Sequence, residues 1–372
     1  MPRRGENIHK RKDGRWEGRY IDCRKSDGRA HYKSIYARSY TEVKAKLSKL
    51  KAVPIHRQVT SLVTLEQLCF LWLEDKKITV KESTHARYYQ VICGHIVPYF
   101  VGVKTDRINN SMVNQFVKDK LQHGRLNKKG GLSAKSVNDI LSILLSIVQY
   151  GEKKGYIVGF DYEVIRPKRE YKELDVLSHQ EQNRLLQHIK QDLDHKKLGV
   201  MLALYTGIRL GELCALTWGD IDFETGTLKI TKTLQRIKDM KADSEKKTKM
   251  VIDSPKSQKS VREIPLPMFL LCALGNFRRE NNVYILSNKL KYIEPRFYQN
   301  KFKQYLKQSE LQPIPFHALR HTFATRAVEQ QFDYKTLSEI LGHSSVRFTL
   351  ERYVHSSIDT KRASMERLAV GY

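Results

Sequence analysis

A multidomain α+β chain is what this sequence predicts. A small three-stranded β module comes first, an all-α bundle second, and a mixed, mainly α domain with a small antiparallel sheet last. Three observations predict it. Aromatic and β-branched runs flank the turn dipeptides Asp13-Gly14 and Asp27-Gly28. Apolar residues recur at three- and four-residue spacing from Ser133 to Lys154. Strand-like stretches, TLKITKTLQRI and MVIDSPKSQKSVREIPLP, interrupt an otherwise helical second half. A length of 372 residues suits two or three domains.

Residues 1–57 form the β module. Trp16, Tyr20, Tyr32, Ile35 and Tyr36 supply its strand-like runs, and TEVKAKLSKLKA follows as a helix with Val43, Leu47 and Leu50 on one face. The bland alternative is a disordered basic arm; the tryptophan and the alternation favour a folded module. Pro54 to Ser61 reads as a linker. The bundle is expected over 62–165. Thr64 opens a helix with Gln67 as its capping-box partner, and Leu65, Leu68, Cys69 and Trp72 share a face. Further helices are expected over Ser83–Tyr99, Ser111–His123 and Ser133–Lys154, the last carrying Val137, Ile140, Leu141, Leu144, Leu145 and Val148 inward.

A proline-restricted hinge, Arg166-Pro167-Lys168-Arg169, leads to the last domain, 172–372. Ser178 with Glu181 opens its first helix. Gly207 ends the next, and Arg209 sits on the first turn of a short one, sharing a face with Glu212. That pair is either a surface ion pair or a mostly buried arginine that Glu212 aims into a cleft; the flanking Leu210, Leu213 and Leu216 favour the second. The strand stretches come next, with Lys256, Lys259 and Arg262 around a turn and Lys256 at its edge after Pro255. A helix over Met268–Glu280, a short strand VYILSN and the helix PRFYQNKFKQYLKQSEL complete the approach to PFHALRHTFATRAVEQQFDYKTLSEILGHSSVRFTLERY. There His317 and Arg320 lie one above the other on a helix. His343 follows Leu341-Gly342, a helix stop with glycine at the left-handed cap, and Tyr353 sits in an amphipathic segment. The tail beyond it, with Met365, Leu368 and Val370, caps its own domain or docks on a neighbour.

Charge narrows the partner. The chain holds 67 Lys+Arg against 40 Asp+Glu, a net +27. Residues 1–60 alone hold 17 against 6. A polyanion, above all nucleic acid, is the expected partner. No apolar run is long enough for a transmembrane helix and the first residues lack a signal-peptide core, so no membrane association is expected. Five scattered cysteines without a C-x-x-C pair point to a reducing cytoplasm rather than a disulfide framework or zinc site.

Two imidazoles, guanidiniums and a phenol suit a phosphodiester. Tyrosine, with a pKa of about 10, needs a base or cation to act as a nucleophile. Arginines can neutralise a pentacoordinate transition state, histidines can donate to the phosphate and relay the phenol proton, and lysine can protonate a leaving 5′ oxygen. No acidic cluster of a two-metal nuclease and no Gly-rich phosphate loop is present, so neither metal nor cofactor is expected.

Arg209, Lys256, His317-x-x-Arg320, His343 and Tyr353 together resemble the residue set of the tyrosine recombinases, the bacteriophage lambda-type integrase family. The strings TGIRLGELCAL, SPKSQKSVREIPL, HALRHTFATRA, LGHSS and ERY occur in the family's order. The resemblance covers the last domain by motif and the bundle by architecture. The basic module resembles the arm-site-binding domain of conjugative-transposon integrases. The resemblance implies a clamp on duplex DNA, in which a helical core-binding domain and a catalytic domain act as a tetramer through a Holliday junction. Arg209 and Arg320 would hold the scissile phosphate, with Glu212 orienting Arg209. His317 and His343 would stabilise the transition state and assist proton transfer, Lys256 would be the general acid, and Tyr353 would leave a 3′-phosphotyrosine. The tail would pack on the next protomer. The module would bridge arm sites together with an excisionase and a host DNA-bending protein. DNA contacts are expected from Arg15, Trp16, Arg19, Tyr20 and Arg24, from Lys128 and Lys129, from Arg166, Lys168 and Arg169, and from Lys259. A type IB topoisomerase shares the chemistry but relaxes supercoils as a monomer. A non-catalytic DNA-binding regulator would explain the charge but not the Arg, His and Tyr set.

Overall fold

A computed structural model describes residues 7–24, 30–52, 63–127, 129–168, 174–239, 247–255, 260–353, 362 and 365–366, without the side chains of 21–24, 30–31 and 49–52. The expected linker, most of the tail, Lys128, Arg169, Lys256, Lys259 and the Arg24 side chain lie outside these. The chain divides into two compact units, 1–171 and 172–372. Among the described residues no helix is long and apolar enough to cross a membrane.

In the first unit, strands β1 (Ile8–Lys10), β2 (Trp16–Arg24) and β3 (Ala30–Ala37) form an antiparallel sheet in the order 1-2-3. Helix α1 (Tyr40–Ala52) covers one face, burying Val43 and Leu47 against Ile8 and Ala37. The approach is close at Gly18, where a Cβ would stand 2.5 Å from Val43. Strand alternation therefore divides β2 in two. Trp16 and Tyr20 lie with Gly18 on the helix side and pack into this core. Arg15 and Arg19 are exposed on the other side. There Arg11 (3.1 Å), Arg19 (3.1 Å) and Ser34 (2.7 Å) bond the carboxylate of Glu17. Trp16 and Tyr20, both half-buried, thus pack toward α1, on the face away from Arg19.

The helices of the bundle are α2 (Leu65–Lys77), α3 (Glu82–Val91), α4 (Asn110–His123) and α5 (Ala134–Lys154). The capping box on α2 forms as spaced, with Thr64 N donating to Gln67 Oε1 at 2.9 Å. The helix expected over Ser83–Tyr99 instead passes into a π-helical turn, Ile92–Ile96, around Gly94. The inward stripe of α5, Val137, Ile140, Leu141, Leu144, Ile147 and Val148, is buried, each large side chain contributing roughly 1.5–3 kcal/mol of burial. Leu145 is only partly buried at its edge. Lys129, Arg166 and Lys168 are exposed.

In the second unit, α6 (His179–Gln191) starts at the Ser178–Glu181 capping box, α7 (His195–Thr206) ends at Gly207, and α8 (Leu210–Ala215) follows. Strands β4 (Ile221–Asp222) and β5 (Thr227–Ile230) precede β6 (Thr233–Lys238), β7 (Thr248–Asp253) and β8 (Arg262–Pro265). They form two antiparallel sheets, 4-5-8 and 6-7. The first expected strand stretch divides into β5 and β6, and the pieces of the two stretches pair crosswise: β5 with β8, β6 with β7. Helix α9 (Met268–Gly275) is shorter than expected, ending at Gly275. The expected strand VYILSN is a turn held by bridges from Tyr284 to Thr217 and Lys289. Its Ile285 and Leu286 are buried in the same core cluster as Trp218 and Tyr298. Helices α10 (Pro295–Gln308), α11 (His317–Glu329), α12 (Tyr334–Leu341) and α13 (Val346–Tyr353) complete the unit.

Candidate active site

Two helix ends organise the site. Helix α7 stops at Gly207 (φ 64°) and α12 stops at Gly342 (φ 63°), both left-handed caps that favour glycine. Their last carbonyls gather where the helix dipoles are negative, and guanidiniums meet them there. Arg320, 2% exposed on α11, donates to Gly207 O at 2.8 Å and Leu341 O at 2.7 Å. Arg209 donates to Gly342 O at 3.2 Å. The chain needs Gly342 for space as well, since a Cβ there would come 3.0 Å from Arg262 Nη1.

One carboxylate holds two of the cations. Glu212, 2% exposed, accepts from Arg209 Nη1 at 2.7 Å and from Arg262 Nη2 at 2.9 Å and Nη1 at 3.2 Å. Burial alone would raise its pKa; the bonds from Arg262 and the charges of Arg262 and Arg209 outweigh that and hold it at about 2. Arg209 itself keeps 38% of its side chain exposed. It is therefore oriented by Glu212 but not mostly buried, a correction to the expectation; the buried partner of Glu212 is Arg262. Arg262 opens β8, 9% exposed, and also bonds Ile340 O at 2.5 Å. Three guanidiniums against one carboxylate leave a surplus of positive charge, which suits an anion.

The imidazoles and the phenol come from three neighbouring elements. His317 heads α11 and is exposed. The protein packed around the ring still displaces part of its water; that, and then the charges of Arg320 and Arg209, lower its pKa to about 4. His343, 9% exposed, follows Gly342; burial and Arg320 lower its pKa to about 3. Both are neutral at pH 7 and can donate one N–H each. His343 Nδ1 lies 2.7 Å from the hydroxyl of Thr349, which is fully buried on α13. Four residues on, one helical turn along the same face, is Tyr353. Its ring is 7% exposed, stacks parallel to that of His343 at 6.2 Å, and packs on Ala324, Ala327, Leu337 and Leu341. Burial raises the phenol pKa, opposed by the nearby Arg320 and Arg352. Its oxygen lies 2.8 Å from Nδ1 of His321.

Arg209, Glu212, His317, Arg320, His343 and Tyr353 are therefore brought together. Arg262, His321 and Thr349 join them unannounced. His321 had one available signal: it falls four residues after His317 on the same helix face, and the rings meet edge to face at 4.6 Å.

Residues 175–359 match the phage integrase family, and residues 64–121 match the N-terminal SAM-like domain of phage integrases. A tyrosine recombinase XerC-like protein of Caldanaerobacter subterraneus subsp. tengcongensis is 27% identical over 334 residues, covering 82% of this chain and 83% of that protein. The ICEBs1 integrase of Bacillus subtilis is 26% identical over 320 residues, with the same two coverages of 82% and 83%. A solved structure of the Tn1549 transposon integrase in complex with a circular intermediate DNA shares the fold, with a TM-score of 0.66 and 23% identity over 83% of this chain and 100% of that one.

Proposed function

We propose, because this chain belongs to the phage integrase family of tyrosine recombinases, that it cleaves and rejoins duplex DNA at specific sites to integrate and excise a mobile element. The observation that carries this is the phenol of Tyr353 docked beside Arg320, in a site built around guanidiniums. Tyr353 attacks the scissile phosphate and becomes a 3′-phosphotyrosine, which conserves the bond energy for rejoining. Arg209 and Arg320 hold the non-bridging oxygens, and their charge offsets that of the transition state. His317 and His343 donate to the same oxygens. Lys256 protonates the 5′ oxygen that leaves.

The remaining roles follow the charge. Residues 1–57 bind distant arm sites through the open sheet face that carries Arg15 and Arg19. Residues 62–165 grip the core site, aided by Lys129, Arg166 and Lys168, and residues 172–372 do the chemistry. Four copies act together, joined by the tail after Tyr353, in the bacterial cytoplasm with an excisionase and a DNA-bending protein. The test is a cognate duplex nicked so that cleavage is trapped. Wild-type protein should leave a detergent-stable covalent adduct, and its absence on every cognate site tried would end this reading.

Thr349 makes a further expectation specific. Which nitrogen of a neutral imidazole carries the proton is set by the partner of the other nitrogen. A Thr349 hydroxyl donating to His343 Nδ1 leaves Nε2–H to face the phosphate. Thr349→Val keeps the shape but removes that donor. It should slow adduct formation about tenfold, roughly 1.4 kcal/mol of transition-state stabilisation. Thr349→Ser should restore the rate, and equal rates for Val and Ser would refute the assignment.

A further inference from the structure

The imidazole hydrogen-bonded to the nucleophile is His321, the residue after Arg320. Its Nδ1 stands 2.8 Å from Tyr353 Oη, within proton-transfer distance, and the residue is only 6% exposed. At neutral pH the phenol keeps its proton, so Tyr353 donates and His321 Nδ1 accepts. We propose that His321 is the general base that takes the phenol proton as Tyr353 attacks phosphorus. This rests on the recombinase reading above.

The step balances. The Oη–P bond forms as the P–O5′ bond breaks, the phenol proton moves to His321 Nδ1, and the 5′ oxygen takes a proton from a separate acid, Lys256 in the assignment above. Rejoining runs in reverse: the His321 imidazolium returns its proton to the departing Tyr353 oxygen. No oxidant or other co-reactant is needed.

Placement supports the role in three ways. Burial leaves bulk water poor access to the phenol, so a fixed base is required. Helix α11 carries the base next to the phosphate-binding Arg320, so one rigid turn sets both. The charge surroundings also favour acceptance on demand. Burial, then His317, Arg352 and Arg320, keep His321 unprotonated in the free protein, with its pKa lowered to about 4. A bound phosphodiester brings negative charge against Arg320 and Arg352, and so makes the imidazole more basic when DNA is present.

The test separates holding the phenol from taking its proton. His321→Asn offers an amide oxygen near the Nδ1 position, which accepts a hydrogen bond but no proton. On the nicked duplex, His321→Asn should bind as wild type in a gel shift and form adduct at least about 100-fold more slowly. A fluorinated tyrosine incorporated at position 353, with a more acidic phenol, should recover most of that loss in His321→Asn, a larger fold-gain than the same replacement gives with His321 present. His321→Gln serves as a second background should the asparagine variant fail to bind DNA. A wild-type rate in either variant overturns the proposal. So does a slow variant that the acidic phenol fails to rescue, since His321 would then only position Tyr353. Failure of the unmodified wild type to form any adduct is a different result, and it removes the recombinase reading itself.

Discussion

Tyr353→Phe should form no detectable covalent adduct with a nicked cognate duplex, while still binding it. The phenol oxygen is the only heavy atom the substitution removes. The ring should keep its packing on Ala324, Ala327, Leu337 and Leu341 and its parallel stacking on His343. What is lost is the hydrogen bond to His321, which leaves a partly desolvated Nδ1 without a donor and costs about 1 kcal/mol. That is too little to unfold the unit or release the DNA. The chemical loss is of another order, since removing a covalent nucleophile costs about a million-fold in rate. The assay is denaturing electrophoresis of protein and labelled duplex after equal incubation, with a gel shift as the binding control. An adduct from the Phe variant at even a hundredth of the wild-type rate would place the nucleophile elsewhere.

Much of this site was legible in the chain because its parts are local. Gly207 and Gly342 announce helix ends, and both adopt the left-handed conformation. Glu212 three residues after Arg209 announces an ion pair on one helical turn, and the pair forms. The failures share a cause. Arg262 looks like any cation beside a turn until β8 pairs with β5 and carries it against Glu212. Thr349 reads as an ordinary helix residue until α13 meets His343. Trp16 and Tyr20 share a face with each other, as alternation says, but only the packing of α1 decides which face is covered. His321 was within reach of spacing, and its meaning depended on where Tyr353 would land. Periodicity specifies which residues travel together; it takes tertiary packing to specify what they meet.

Glu212→Gln should destabilise the second unit by about 3–5 kcal/mol at pH 7, the scale on which losing one partner of a buried ion pair acts. The carboxylate is shared. Arg262 loses its only acidic partner recorded among the described residues, at 5% side-chain exposure, and Arg209 loses the bond that aims it. A neutral amide can accept from one of them but opposes neither charge. The pH dependence of the wild type gives an independent measure. Glu212 titrates at about 2 in the folded chain against an ordinary 4.5. A lowered folded-state pKa means that the stabilisation is fully present above about pH 4.5 and is lost as pH falls toward 2. The direction of that shift agrees with the loss expected of Glu212→Gln. The wild type and Glu212→Gln should therefore differ most near pH 7 and converge as pH falls through that window. Trp218, 1% exposed in the core of this unit, reports the transition once Trp16 and Trp72 are replaced by Phe. Denaturant titrations at pH 7 and pH 3 decide the matter: a constant gap between the two proteins would mean that Glu212 stabilises through shape alone, and not through the charge it places between two guanidiniums.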